Sequence, residues 1–156
     1  MRVVPLPPNL ELEKLLAGLL MREVKVKPSE SAPGDPCSVA LYRSDAPELE
    51  VAVLCDLPLA ASMAAALSVV PPGAVKDAVA AAGLGEPLRQ NLAEVMNVLA
   101  RFVSGSGRRF ALVQVWCPPE APDAKVVEAA RGSDETRVVA VEVPGYLGGL
   151  LAFDTL

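Results

Sequence analysis

One stretch, residues 86–103, carries apolar side chains on a single face at the spacing of an α-helix. With Leu88 placed at zero and about 100° added per residue, Leu92, Val95, Leu99 and Phe102 lie within roughly 40° of that line. Such a helix has to bury its apolar face against another layer of secondary structure. The rest of the chain must therefore supply a surface that covers this face.

The opposite face of this helix is polar. Four side chains lie between roughly 180° and 240° on the same wheel: Gln90, Glu94, Asn97 and Arg101. We call these four residues the polar stripe. A solvated outer face explains them in the simplest way, although asparagine is a poor helix former in mid-helix. Ala93 and Ala100 flank the stripe, so little bulk stands in the way of a partner.

The patterns on either side predict a helix, then strands, then helices, then strands. Asn9 is a predicted N-cap of the first helix, and Asp56 of the second. Predicted helices cover 9–21, 58–70 and 74–82, and predicted strands cover 22–28, 37–43, 49–55, 109–117, 137–143 and 146–153. Ser44–Pro47 and Pro144-Gly145 supply turns. Residues 120–136 form a polar connection with a short strand or a turn of helix. This order predicts an α+β fold, an antiparallel sheet with helices packed on it.

Composition limits the classes of function. The chain has 156 residues, which favours one domain over 1–156. The net charge of −5 argues against non-specific binding to nucleic acid or an anionic membrane, and the apolar run 58–70 is too short to span a bilayer. The absence of histidine excludes Ser-His-Asp and Cys-His catalysis. Three cysteines, Cys37, Cys55 and Cys117, without a pairing motif favour a reduced, cytoplasmic protein.

Glu94-Val95-Met96-Asn97 matches the E-x-x-N signature of the CheC/CheX-type chemotaxis phosphatases. The surroundings match as well, because "LEVAVLCDLPLAASMAAAL" precedes the signature and the strand "VQVWCPP" follows it. The chain resembles this family over most of its length. The resemblance implies a CheC/CheX-like fold and a bacterial signalling protein that acts on a phosphorylated response regulator.

The resemblance also implies roles for the polar stripe. Glu94 would hold the regulator's active-site lysine and Asn97 would orient the attacking water, with Gln90 and Arg101 facing the partner. An amide suits this task because it donates and accepts hydrogen bonds at once. The regulator would supply the Mg²⁺, so no cofactor is expected on this chain. A homodimer is also expected, formed through an exposed edge of the C-terminal hairpin.

Two differences from the family keep other interpretations open. Gln90 stands where the family favours an acidic residue or serine, and the bulky segment 98–103 follows Asn97 where small residues are usual. The first alternative is an inactive binding or scaffold module of the same fold, in two-component or flagellar signalling. The second is a globular domain whose polar stripe is merely solvated.

Overall fold

An antiparallel sheet, flanked by helices, organises the chain in a computed structural model that describes residues 4–45, 48–105, 107–132 and 136–156. Within these ranges the helices are α1 Asn9–Leu20, α2 Leu57–Leu67, α3 Pro72–Ala81, α4 Glu86–Val103 and α5 Ala124–Arg131. The strands are β1 Lys25–Pro28, β2 Cys37–Ser44, β3 Glu50–Asp56, β4 Phe110–Trp116, β5 Thr136–Glu142 and β6 Gly149–Thr155. The predicted α+β architecture is confirmed.

The six strands lie in the order β1-β5-β6-β3-β2-β4, and every neighbouring pair is antiparallel. The C-terminal hairpin is therefore enclosed, with β5 beside β1 and β6 beside β3. The expectation of a free edge on that hairpin is wrong, because the N-terminal strand β1 pairs with β5 through Lys25↔Glu142 to Pro28↔Val139. The outer strands are β1 and β4, and a homodimer built by sheet extension would have to use one of them.

Side chains alternate between the two faces of a strand, and one face of this sheet carries the main core. Tyr42, Val53, Leu151 and Phe153 are fully or almost fully buried there, in one cluster with apolar side chains of the helices. The largest helical contributors are Leu12 and Leu16 of α1, Leu59 and Met63 of α2, and Leu92, Met96 and Leu99 of α4. The predicted apolar face of residues 86–103 is thus buried against the sheet and its neighbouring helices.

The opposite face of the sheet carries a smaller layer. Helix α5 lies over it, and its side chains share a cavity wall with residues of β2, β3 and β6. The sequence predicted a polar connection with a short strand or a turn of helix in this region. Eight helical residues form instead, and Asp123 caps them by accepting a hydrogen bond from the Lys125 N–H at 2.9 Å.

Two helix boundaries differ from the predictions. Asn9 is the first residue of α1 rather than its N-cap, which is Pro8, and its side chain instead accepts a 3.4 Å hydrogen bond from Arg137. Helix α2 ends at Leu67 because Val69 has a positive φ of 53°, and Pro72 begins α3. The predicted turn at 44–47 lies partly outside the described residues, since 46 and 47 are not among them.

Asp56 joins α2 to the C-terminal hairpin. Its Oδ1 accepts a hydrogen bond from the Leu59 N–H at 3.1 Å, which confirms the predicted N-cap. Its Oδ2 accepts from the Leu150 N–H at 2.9 Å. Gly149 is required beside it, because a Cβ at this position would overlap the Asp56 carboxylate. One side chain therefore holds the start of a helix and the start of β6 together.

Burial makes Asp154 a source of pH-dependent stability. Desolvation raises the pKa of this carboxyl, and the hydrogen bond from Thr136 only partly opposes the rise. The folded chain binds the Asp154 proton more tightly than the unfolded chain does. Protonation of Asp154 therefore stabilises the fold at low pH, and this contribution is lost as the pH rises through the folded pKa. In urea unfolding between about pH 4 and 7, we expect Asp154→Asn to gain stability relative to the original chain as the pH rises. A difference that stays constant with pH would contradict this assignment.

Candidate functional site

Helix α4 presents the polar stripe to solvent. Gln90, Glu94, Asn97 and Arg101 are all exposed, whereas Leu92, Val95, Met96 and Leu99 on the opposite side are 0% exposed. The helical wheel therefore predicted the orientation of this helix correctly. The structure brings a carboxylate and a carboxamide together, one turn apart, on an open surface.

The central side chains of the stripe are not engaged within the chain. Among the described residues, Glu94, Asn97 and Arg101 have no hydrogen-bond or ion-pair partner. Gln90 differs, because its Nε2 donates to Glu86 Oε1 at 3.2 Å. Since no internal bond has to be broken first, the three unengaged side chains are available to a partner.

Three hydrogen bonds with neighbouring segments fix the position of α4. The Tyr42 hydroxyl of β2 donates to the Met96 carbonyl at 2.5 Å, immediately before Asn97. Burial raises the pKa of Tyr42, so the hydroxyl remains a donor. Near the start of α4, Asn91 Nδ2 donates to the Ala64 carbonyl at 2.9 Å and to Ser68 Oγ at 2.8 Å. These contacts resist rotation or sliding of the helix that carries the stripe.

Sequence reasoning missed both of these positioning residues. Tyr42 lies in a strand pattern, and nothing local indicates that its hydroxyl reaches a helix 54 positions away in the chain. Asn91 carried a weak signal, because a second asparagine in a helix of apolar residues calls for a local explanation. Both contacts depend on how the layers stack, which the periodicity of a single segment does not specify.

The bulky segment after Asn97 does not obstruct the stripe. Leu99, Phe102 and Val103 are buried, and the Phe102 ring packs on Phe153 with centroids 5.2 Å apart. Val98 is half-buried. The difference from the usual small residues of the family thus falls mainly on the core side of α4, and the surface between Asn97 and Arg101 stays open.

A groove of about 390 Å³ lies beside Asn97, where the end of α4 faces the start of β4. Arg101 and Arg109 both line it, and no acidic side chain is among its described lining residues. Arg109 was visible in the sequence only as half of the basic pair 108–109, and the fold places it next to the stripe. The groove is a locally basic surface on a chain whose net charge is −5.

The arrangement suits binding and positioning at a partner's reactive centre. Glu94 can accept hydrogen bonds from a cationic group, and Asn97 can both donate and accept. Within the described part of the chain, no group of three or more His, Cys, Asp or Glu side chains is placed to hold a metal ion. In the same part, no helix has the length and hydropathy to cross a membrane.

Comparison with solved structures places this architecture among known folds. A chain of the CheX-CheY-BeF3-Mg+2 complex from Borrelia burgdorferi matches with a TM-score of 0.57 and 17% identity, over 91% of this chain and 90% of that one. The chemotaxis protein CheX from Vibrio vulnificus matches with a TM-score of 0.53 and 12% identity, over 95% of each chain. The chain has a CheC/CheX-type fold.

A similar fold occurs in a second protein complex. A chain of the FliG-FliM complex from H. pylori matches with a TM-score of 0.55 and 14% identity, over 93% of this chain and 84% of that one. No protein-family model matches the sequence, and no curated protein sequence matches it significantly. The similarity therefore lies in the three-dimensional structure.

Proposed function

We propose that this protein accelerates the hydrolysis of an aspartyl phosphate on a response regulator, and that it docks through the polar stripe. The observation that carries the proposal is that Glu94 and Asn97 lie one turn apart and exposed, without hydrogen-bond partners among the described residues, on a helix that Tyr42 holds in place. The fold supports it, because a similar structure was determined as a CheX–CheY complex with BeF3 and Mg²⁺. Glu94 would bind the regulator's lysine, and Asn97 would position the attacking water.

The reaction requires this chain mainly to position the attacking water. The water oxygen attacks phosphorus, the bond between phosphorus and the aspartate oxygen breaks, and the carboxylate leaves with the electron pair. Inorganic phosphate carries away the protons of the water. The regulator's own Mg²⁺ neutralises the phosphoryl charge. Asn97 holds the water in line, and a water that is already in place removes much of the entropic cost of the attack.

The positive charge at one end of the polar stripe favours a partner whose docking surface is anionic. Arg101 and Arg109 line the groove beside Asn97, and a phosphorylated active site that also binds a metal is rich in negative groups. Complementary charges of this kind mainly raise the rate of association. Gln90, at the other end of the stripe, would contact the rim of the partner.

A catalytically inactive binding module is the second candidate. Its supporting observation is the structural similarity to a chain of the FliG-FliM complex, in which a protein of similar fold is part of a protein–protein complex. Gln90 fits this candidate too, because the related phosphatases favour an acidic residue or serine there. In this case the same stripe would hold a flagellar or two-component partner without hydrolysing a phosphate.

The decisive experiment follows the decay of a phosphorylated response regulator with and without this protein. We expect substoichiometric amounts of the protein to speed the decay, with multiple turnovers. Binding to the regulator loaded with beryllofluoride is measured in parallel. Binding without faster decay would favour the inactive module, and the absence of both effects would leave the polar stripe as a solvated surface.

A further inference from the structure

A second site lies on the other side of the sheet from the polar stripe. A cavity of about 490 Å³ separates helix α5 from the sheet, and the loop before β2 closes one side. We call it the α5 cavity. Pockets that bind small molecules usually measure about 300–1,000 Å³. Because the sheet separates it from α4, a ligand here would not compete with a partner docked on the stripe.

Most of the α5 cavity wall is apolar. Strand residues form its floor, and one face of α5 forms its roof. The floor consists of Val39, Leu54 and Ala152, and the roof of Val126, Val127 and Ala130. Val126 and Val127 remain only half-buried although they face the sheet layer. An apolar ligand body would complete the burial of these side chains, which favours its binding.

A buried carboxylate adds a specific polar contact. Asp154 lines the cavity and is only 4% exposed. Its Oδ1 accepts a 2.5 Å hydrogen bond from Thr136 Oγ1, while no described residue donates to Oδ2. Oδ2 is not completely enclosed by protein atoms, and Asp154 lines the cavity, so this oxygen is the one available to a ligand. A buried carboxylate with one unpaired oxygen is costly, and a ligand donor would offset this cost.

The charges around the cavity favour a cation. Asp35 and Asp154 contribute two carboxylates to the lining, and Arg131 contributes one positive charge. Cys37 adds no charge at neutral pH, because burial and the nearby Asp35 raise the pKa of its thiol to about 11. The described lining is therefore net negative, which disfavours an anionic ligand and favours an ammonium group.

We propose that the α5 cavity binds a small primary amine with an apolar body, whose ammonium group donates to Asp154 Oδ2. The apolar body lies between the strand floor and α5. Arg131 at the cavity wall discriminates against cations with a second positive group and tolerates neutral or anionic substituents. This proposal does not depend on the phosphatase activity, because it rests on residues of the opposite sheet face.

Three probes of nearly equal shape test the proposal: 2-phenylethylamine, 2-phenylethanol and phenylacetate. Each is titrated into the full chain labelled with ¹⁵N, and backbone amide shifts are followed by NMR. We expect the amine to shift amides of β6 and α5 around the cavity and to bind about tenfold or more tightly than the alcohol. Phenylacetate should bind most weakly. Equal affinities, tightest binding of phenylacetate, or shifts confined to other surfaces would overturn the proposal.

Two variants and a control locate the contact. Asp154→Asn should lower the amine affinity to that of the alcohol while leaving the alcohol unchanged. Val126→Phe should fill the cavity and weaken both probes, which provides a test should Asp154→Asn disturb folding. Glu128→Gln makes the same change of charge on the exposed side of α5 and should change nothing. Loss of binding in the control, or unchanged amine binding in both test variants, would refute the assignment.

Discussion

Asn97→Ala is expected to slow the dephosphorylation of a response regulator by about a hundredfold, while its affinity for the regulator changes little. The Asn97 amide can hold a water in line with a phosphorus–oxygen bond, and loss of such a positioned hydrogen-bonding group typically costs about 10²–10³ in rate. The side chain has no partner among the described residues, so its removal should not disturb the fold. Single-turnover decay of the phosphorylated regulator measures the rate, and titration of the beryllofluoride-loaded regulator measures the affinity.

The same helix offers a matched control for this substitution. Asn91 lies less than two turns from Asn97 but is tied to Ala64 and Ser68. Because Asn91 helps to hold α4 in place, Asn91→Ala should lower the free energy of unfolding by about 1 kcal/mol and slow dephosphorylation far less than Asn97→Ala does. If the two alanine variants affect the rate equally, Asn97 has no special role and the phosphatase proposal fails at this residue.

Glu94→Ala separates docking from catalysis on the same stripe. Because its carboxylate is proposed to hold the regulator's lysine, its removal should weaken binding as well as slow the reaction. A variant that reduced only the rate, with normal affinity, would assign Glu94 a different role from the one proposed.

Asp56→Ala is expected to lower the free energy of unfolding by about 2–4 kcal/mol. The substitution removes the N-cap bond to Leu59 and leaves the Leu150 N–H without its partner. A lost cap costs roughly 1 kcal/mol, and an unsatisfied, partly buried donor adds about 1–3 kcal/mol. Since domains are stable by only about 5–15 kcal/mol, this is a large share of the total. Urea unfolding at neutral pH measures it.

Asp123 provides the control for the cap. Its side chain accepts a hydrogen bond from the Lys125 N–H at the start of α5, in an exposed position, and this side chain has no second backbone partner among the described residues. Asp123→Ala should therefore cost only about 0.5–1 kcal/mol. Equal losses for the two variants would show that the bond between Asp56 and β6 contributes little.

Local patterns in the sequence were enough to predict the orientation of α4. The apolar and polar faces of residues 86–103 follow from the fixed rotation of about 100° per residue, so the exposure of Glu94 and Asn97 could be read before any fold was known. The cap at Asp56 was predictable for the same reason, because the hydrogen bond from Leu59 closes within one helical turn. The resemblance around the E-x-x-N signature then indicated the fold, and the structure confirms it.

Apart from α5 and two helix boundaries, the errors concern contacts between distant segments. The C-terminal hairpin was expected to expose an edge, yet β1 covers β5, a pairing that joins the two ends of the chain. The role of Tyr42 was missed because its partner Met96 is 54 residues away. Such pairings depend on the stacking of layers, and many stackings satisfy the same local patterns.

Apart from α5, the sequence by itself determined which segments are helices or strands, and it determined which side of α4 faces water, because those properties depend on neighbours a few residues apart. Only the tertiary structure decided what surrounds the polar stripe and what lies behind the sheet. Arg109 lines a groove together with Asn97, and Asp154 lines the α5 cavity together with Arg131, because separate elements pack side by side. These sites exist because chain packing, rather than local periodicity, sets the distances across layers.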